Sequence, residues 1–199
     1  MAMAQRARTT REQTAAAIAS AAASTVATYV EIAILVGAVS PALLVRLVPA
    51  LGAAGIVAAA VTIVFAARAA REAGVAPHDV DRPVNVRGAL LFAVVVTAIS
   101  ILASALDHWL GDSGLLLGAS IAALADSHAA SVSVATVFTA GHFGAEVAAA
   151  GVLVCLSSNA LTKVVLAFAG KAPRNFSIAV TAQVTAATAA SWIAFGLVR

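Results

Sequence analysis

Six residues of this chain carry chemistry in places where chemistry is costly. Glu31, Asp126 and Lys163 each stand well inside a long apolar run, and His128, Ser158 and Asn159 lie within five residues of one of them. A charge at the centre of a bilayer costs about 2.5–3.5 kcal/mol on insertion scales, so such residues pair with one another or meet water, and they mark ion or solute pathways by default. Two acids and one base leave a net negative charge when all are ionised, which suits a cation or an exchangeable proton. The expectation is that Asp126 binds the ion or proton and Lys163 is its charge partner. Asn159, Ser158 and His128 then line the path, with Glu31 as a second acid. The alternative for the same residues is a structural ion pair, Lys163 with Asp126 or Glu31, that only fixes helix packing.

Spacing along the chain puts the three charges at similar depth. Glu31 lies ten residues before Pro41 and Lys163 ten before Pro173, each about 15 Å of helix. Asp126 lies twelve residues after Gly114, about 18 Å. Against a hydrocarbon core of about 30 Å, all three fall near the middle.

The elements that must position them follow from composition. The chain has 199 residues, 62% apolar and 11% charged, where a soluble domain is nearer half apolar and a quarter charged. Six apolar segments can be read: Ala15 to Val39, Leu43 to Ala67, Gly88 to Leu106, Gly114 to Thr136, Ala145 to Phe168 and Phe176 to Val198. Between them stand turn signals, "SPALL" at Ser40, "GDSG" at 111–114, "TAGHFG" at 139–144 and "GKAPRN" at 170–175. No period-2 alternation supports strands. The reading is an all-α, polytopic transmembrane helix bundle of about six membrane segments. Residues 1–14 form a basic cytoplasmic N-terminal segment and 15–199 a single transmembrane domain. The alternative breaks the fourth segment near Asp126 into a re-entrant hairpin and leaves five spans.

Lys and Arg set the orientation. With Arg6, Arg8 and Arg11 inside, six spans keep Arg68, Arg71, Arg82, Arg87 and Arg199 inside and put Arg46, Lys171 and Arg174 outside. Five spans and a hairpin move Lys171 and Arg174 inside and Arg199 outside. Within the fourth segment, Gly114, Gly118, Ala122 and Asp126 repeat at i+4. A small-residue stripe of this kind lets helices approach closely, which predicts that Asp126 faces protein.

Several chemistries find no support. The sequence holds no H-E-x-x-H, G-x-S-x-G or phosphate-binding glycine loop, so no enzyme and no cofactor are expected. His142 and Glu146, at i and i+4, read as a surface pair, and Asp107, His108 and Asp112 as a solvated loop. The single Cys155 reads as a small core residue. Basic residues cluster at span ends rather than on one patch, so no nucleic-acid partner is expected.

Three stretches carry a family likeness. "NVRGALLFAVVV" (85–96), "GDSGLLLGASIAALADSHAASVSVA" (111–135) and "LSSNALTKVVLAF" (156–168) resemble the uncharacterised bacterial membrane domain that commonly follows an MgtC/SapB domain. The resemblance runs from about Ala15 to the C-terminus. Its motif residues fall on Arg87, Asp126, Ser158, Asn159 and Lys163. His128 stands where the family has a second aspartate, and Glu31 where relatives often have arginine. The resemblance implies a multi-pass protein of the bacterial inner membrane, in contact with the lipid bilayer and with a homo-oligomeric or MgtC/SapB-type partner. It implies no established activity. The expected function is transport of a cation or small solute through the Asp126–Lys163 centre. The alternative is a non-transporting structural or regulatory subunit of a membrane complex.

Overall fold

A computed structural model of the chain describes residues 2–72, 94, 118–142, 144–169 and 173–198, with side chains from residue 14 onward. Every described element is a helix: α1 Ala2–Val39, α2 Pro41–Glu72, α3 over 118–125, α4 Ser127–Thr139, α5 Ala145–Ala169 and α6 Arg174–Leu197. Four are long and apolar enough to cross a bilayer: Thr14–Val39 of α1, Pro41–Arg71 of α2, all of α5 and all of α6. At 1.5 Å per residue the shortest of these is about 36 Å, against about 30 Å of hydrocarbon. The all-helical membrane bundle read from composition is therefore what the chain forms. The third apolar segment, 88–106, lies outside the described residues apart from Val94, and the "GDSG" turn lies outside them too.

Each helix buries one stripe and leaves the rest apolar. On α1 the buried positions are Ala15, Ile18, Ala22, Thr25, Thr28, Tyr29, Ile32 and Val36, and on α2 they are Leu43, Leu47, Ala50, Leu51, Ala54 and Ala58. These recur at three and four residues, the period of one helix face. The opposite faces expose Val45 (71%), Ile56 (73%) and Ile63 (67%). Apolar side chains on such faces need lipid or another apolar surface. Short turns close the helix pairs. Ser40 precedes Pro41 at the first position of α2, and its hydroxyl accepts a hydrogen bond from the Leu43 N–H at 3.4 Å, as an N-cap does. A Cβ at Gly37 would stand 2.7 Å from Leu44 Cδ2, so a larger residue there would make that side chain shift. Gly141, at φ +84°, makes the turn between α4 and α5.

The chain divides into two compact units. The first contains residues 1–31, 48–77 and 162–199, and so holds Thr25, Thr28, Glu31, Lys163 and α6. The second contains 32–47 and 78–161, and so holds Asp126, His128, Cys155, Ser158 and Asn159.

Inside the second unit the fourth apolar segment is not one straight span. Asp126 interrupts it, with φ −148° and ψ 100°, an extended residue between two helices. The thiol of Cys155 shows how sharply the chain turns there. It donates to the Ala119 carbonyl at 3.8 Å, and the Ser131 side chain lies close enough to act on the same sulfur. Two groups that share one sulfur stand within roughly 8 Å of each other. A continuous helix would hold positions twelve residues apart about 18 Å apart. The segment therefore folds back at Asp126, which corrects the straight fourth span and agrees with the break in the hairpin alternative. Cys155 itself is fully buried, the small core residue expected.

The buried face also differs from the expected one. Ala122 is half-buried and Asp126 exposed. The buried stripe runs one residue further on, through Ala119, Ala123, Ser127, Ser131 and Ala135. The contacts of Ala119 and Ser131 with Cys155 select that face, and the cap at Asp126 leaves its side chain on the other.

The fold-back makes Cys155 a reporter. Single variants Ala119→Cys and Ser131→Cys should each form an oxidant-induced disulfide with Cys155, mapped by proteolysis and mass spectrometry. A straight helix permits only one of the two.

Candidate functional site

In the first unit the site is built on α1 and α5. Thr25 and Thr28 lie three residues apart on one face of α1, and both are buried, at 5% and 7% exposure. Their hydroxyls first satisfy their own helix: Thr25 Oγ1 donates to the Ala21 carbonyl at 3.3 Å and Thr28 Oγ1 to the Ser24 carbonyl at 2.9 Å. With its single proton spent on a carbonyl, each hydroxyl turns an acceptor lone pair outward. Lys163 supplies the donor. Its Nζ donates to Thr25 Oγ1 at 3.1 Å and to Thr28 Oγ1 at 3.3 Å. Glu31, three residues beyond Thr28 on α1, acts electrostatically on the same ammonium. The Glu31 side chain is exposed and Lys163 half-buried.

In the second unit Asp126 acts on its own helix. Its Oδ1 accepts from the backbone N–H of His128 at 2.9 Å and of Ala129 at 3.1 Å, which makes it the N-cap of α4. His128 Nδ1 lies 3.5 Å from the same oxygen. The negative carboxylate also complements the positive end of the α4 dipole. All three contacts fall on Oδ1, and the side chain is 54% exposed. Ser158 and Asn159 are half-buried on α5, and Ser157 Oγ donates to the Leu153 carbonyl at 2.8 Å. Asn159 shares the α5 face of Lys163, one helical turn before it. His142 and Glu146 are both exposed at the start of α5.

Lys163 is thus joined to Thr25, Thr28 and Glu31, and Asp126 to His128 and the first turn of α4. Thr25 and Thr28 were not among the candidates read from sequence. A signal for them existed: "STVATYVE" at 24–31 places two threonines and Glu31 at i, i+3 and i+6, a polar edge on an otherwise apolar helix. Hydroxyls in an alanine-rich span are easily passed over, because they satisfy themselves on the i−4 carbonyl.

Each contact has a measurable weight. Hydrogen bonds to a charged group are worth about 1.5–3 kcal/mol, so Thr28→Val should destabilise by about that amount in a chemical-denaturation or thermal assay. The same substitution made in Lys163→Met should cost little, and the double-mutant cycle isolates the pair. Asp126→Ala should cost about 0.5–2 kcal/mol through loss of the cap, whereas Asp126→Asn keeps it.

With this geometry in place, comparison with known proteins adds one finding. The family described as Domain of unknown function (DUF4010) matches residues 1–170. No curated protein and no solved structure gives a significant match. The matched range takes in α1, α2, the fold-back and all of α5, and so every residue named above as a site candidate.

Proposed function

The chain belongs to the DUF4010 family, and from the geometry above we propose that it is a bacterial inner-membrane transporter of a cation or small solute. One observation carries the reading. The Lys163 ammonium, inside an apolar span, rests on two neutral hydroxyls, with an exposed carboxylate acting on it. A charge buried only for packing is costly unless an opposite charge meets it directly. A half-buried ammonium held by neutral hydroxyls can be exchanged instead. Asp126 adds to the reading. It sits where a membrane helix is interrupted, and interrupted helices in transporters are where ions and polar solutes bind. In the proposal, a proton or cation reaching Glu31 changes the charge that Lys163 feels, the ammonium leaves Thr25 and Thr28, and the helices shift. Asp126, with His128, Ser158 and Asn159, supplies polar groups in the second unit.

The test is flux through proteoliposomes that enclose a pH-sensitive dye, with Mg²⁺, monovalent cations and small organic solutes added in turn. Wild type is compared with Asp126→Asn, which keeps the cap, and with Lys163→Met. Solute-dependent flux lost in both folded variants is the expected result. No flux for any solute, with both variants failing to assemble, would replace this reading by that of a structural or regulatory subunit, alone or beside an MgtC/SapB-type partner.

The proposal also fixes an orientation. With the fourth segment folded back, the five-span reading puts Lys171 and Arg174 inside with Arg6, Arg8 and Arg11, in keeping with the positive-inside rule. In Cys155→Ser, a cysteine at position 171 should resist a membrane-impermeant thiol reagent applied to spheroplasts, and one at position 199 should react. The reverse pattern would restore six spans.

A further inference from the structure

We propose that Lys163 is a tethered cation occupying a monovalent-cation site on α1, and that an ion of ammonium size, K⁺ or NH₄⁺, takes this site when the Lys163 side chain is absent or displaced. The oxygens are those of Thr25 and Thr28, and the Glu31 charge acts on the same position. Each threonine has committed its proton to a carbonyl of its own helix, Thr25 to Ala21 and Thr28 to Ser24. What it offers across the gap is therefore acceptor capacity only, which an ion can use as well as an N–H can. Both threonines are buried, so an empty site would leave two lone pairs facing each other's neighbourhood without a positive partner.

Charge and distance select the ion. Two neutral hydroxyls and one carboxylate balance a single positive charge, the charge Lys163 brings. The oxygens stand 3.1 and 3.3 Å from Nζ. Mg²⁺ demands about 2.0–2.1 Å and keeps several waters, and Ca²⁺ takes six to eight oxygens at about 2.3–2.6 Å. A site of this width suits neither. It suits an ion that resembles the ammonium already there. The inference deepens the transport reading by naming the ion class that exchanges with Lys163. It rests on the same centre, but its test measures binding and not flux, so either can fail without the other.

The experiment is thermal unfolding of purified full-length Lys163→Ala in detergent, titrated with KCl, NH₄Cl or MgCl₂ against N-methylglucamine chloride at constant ionic strength. A saturable rise in Tm of roughly 5–10 °C at a hundredfold excess over Kd is expected for K⁺ and NH₄⁺ and not for Mg²⁺. Wild type, with the site filled by its own lysine, should show none. The rise should vanish in Lys163→Ala combined with Thr25→Val and Thr28→Val. Where Lys163→Ala does not fold without these ions, recovery of the fold in K⁺ or methylammonium but not in N-methylglucamine is the expected result. A folded Lys163→Ala indifferent to K⁺, a rise that survives loss of both threonines or is equalled in wild type, or no recovery of fold in any of these ions would overturn the proposal.

Discussion

A positive charge inside an apolar helix must be answered, and here the answer comes from hydroxyls. Half-buried on α5, Lys163 reaches Thr25 and Thr28 on α1. That contact joins the first apolar helix of the chain to the fifth, across 138 and 135 residues of sequence. Alanine-rich helices bring little else to such a junction. Lipid tails are as apolar as the side chains they touch, so helix association in a bilayer depends on close packing and on polar contacts like this one. The two threonines serve both ends. They close their own helix and hold the lysine, without a second full charge being buried beside it.

Small residues supply the rest. Ala15, Ala22, Ala50, Ala54, Ala58, Ala148 and Ala149 all lie on buried faces, where their size lets backbones come near. Ser177 shows the same economy at the α5–α6 turn. Its hydroxyl crosses to the Ala167 carbonyl at 2.6 Å, a contact possible only where neither residue is bulky. Large apolar side chains fill the core, as Ile32, Leu43, Leu47 and Leu153 do, and also cover the outside, where Leu161, Val165, Leu166 and Phe168 are all exposed on α5. Apolar side chains on both sides of a helix suit a protein whose solvent is hydrocarbon.

The sequence made the membrane helices legible because apolar length is a strong signal, and Pro41 and Pro173 mark their turns without ambiguity. It made Lys163 and Glu31 legible because charge within an apolar run stands out. It left the partner of Lys163 unreadable, since nothing local says that a lysine in α5 meets threonines in α1. The fold-back at Asp126 was present only as one of two options. An aspartate followed by Ser127 and His128 is a fair N-cap signature, but in a run this apolar the same letters also fit a buried charge in a continuous helix. What decided between them was contact over distance, Ala119 and Ser131 meeting one sulfur. That contact also moved the buried stripe off Asp126, which an i+4 count of small residues had placed there.

The corner at Asp126 has a consequence for how the polypeptide enters the bilayer. Residues 118–139 would measure about 33 Å if they ran on as one helix, long enough to cross unaided. One extended residue and two backbone hydrogen bonds to its carboxylate stand between a segment that turns back and one that passes through. Everything that follows inherits that choice, because a crossing added or removed there inverts α5 and α6 together. The cap that holds this corner is worth about 0.5–2 kcal/mol, so a small local energy maintains the break between α3 and α4.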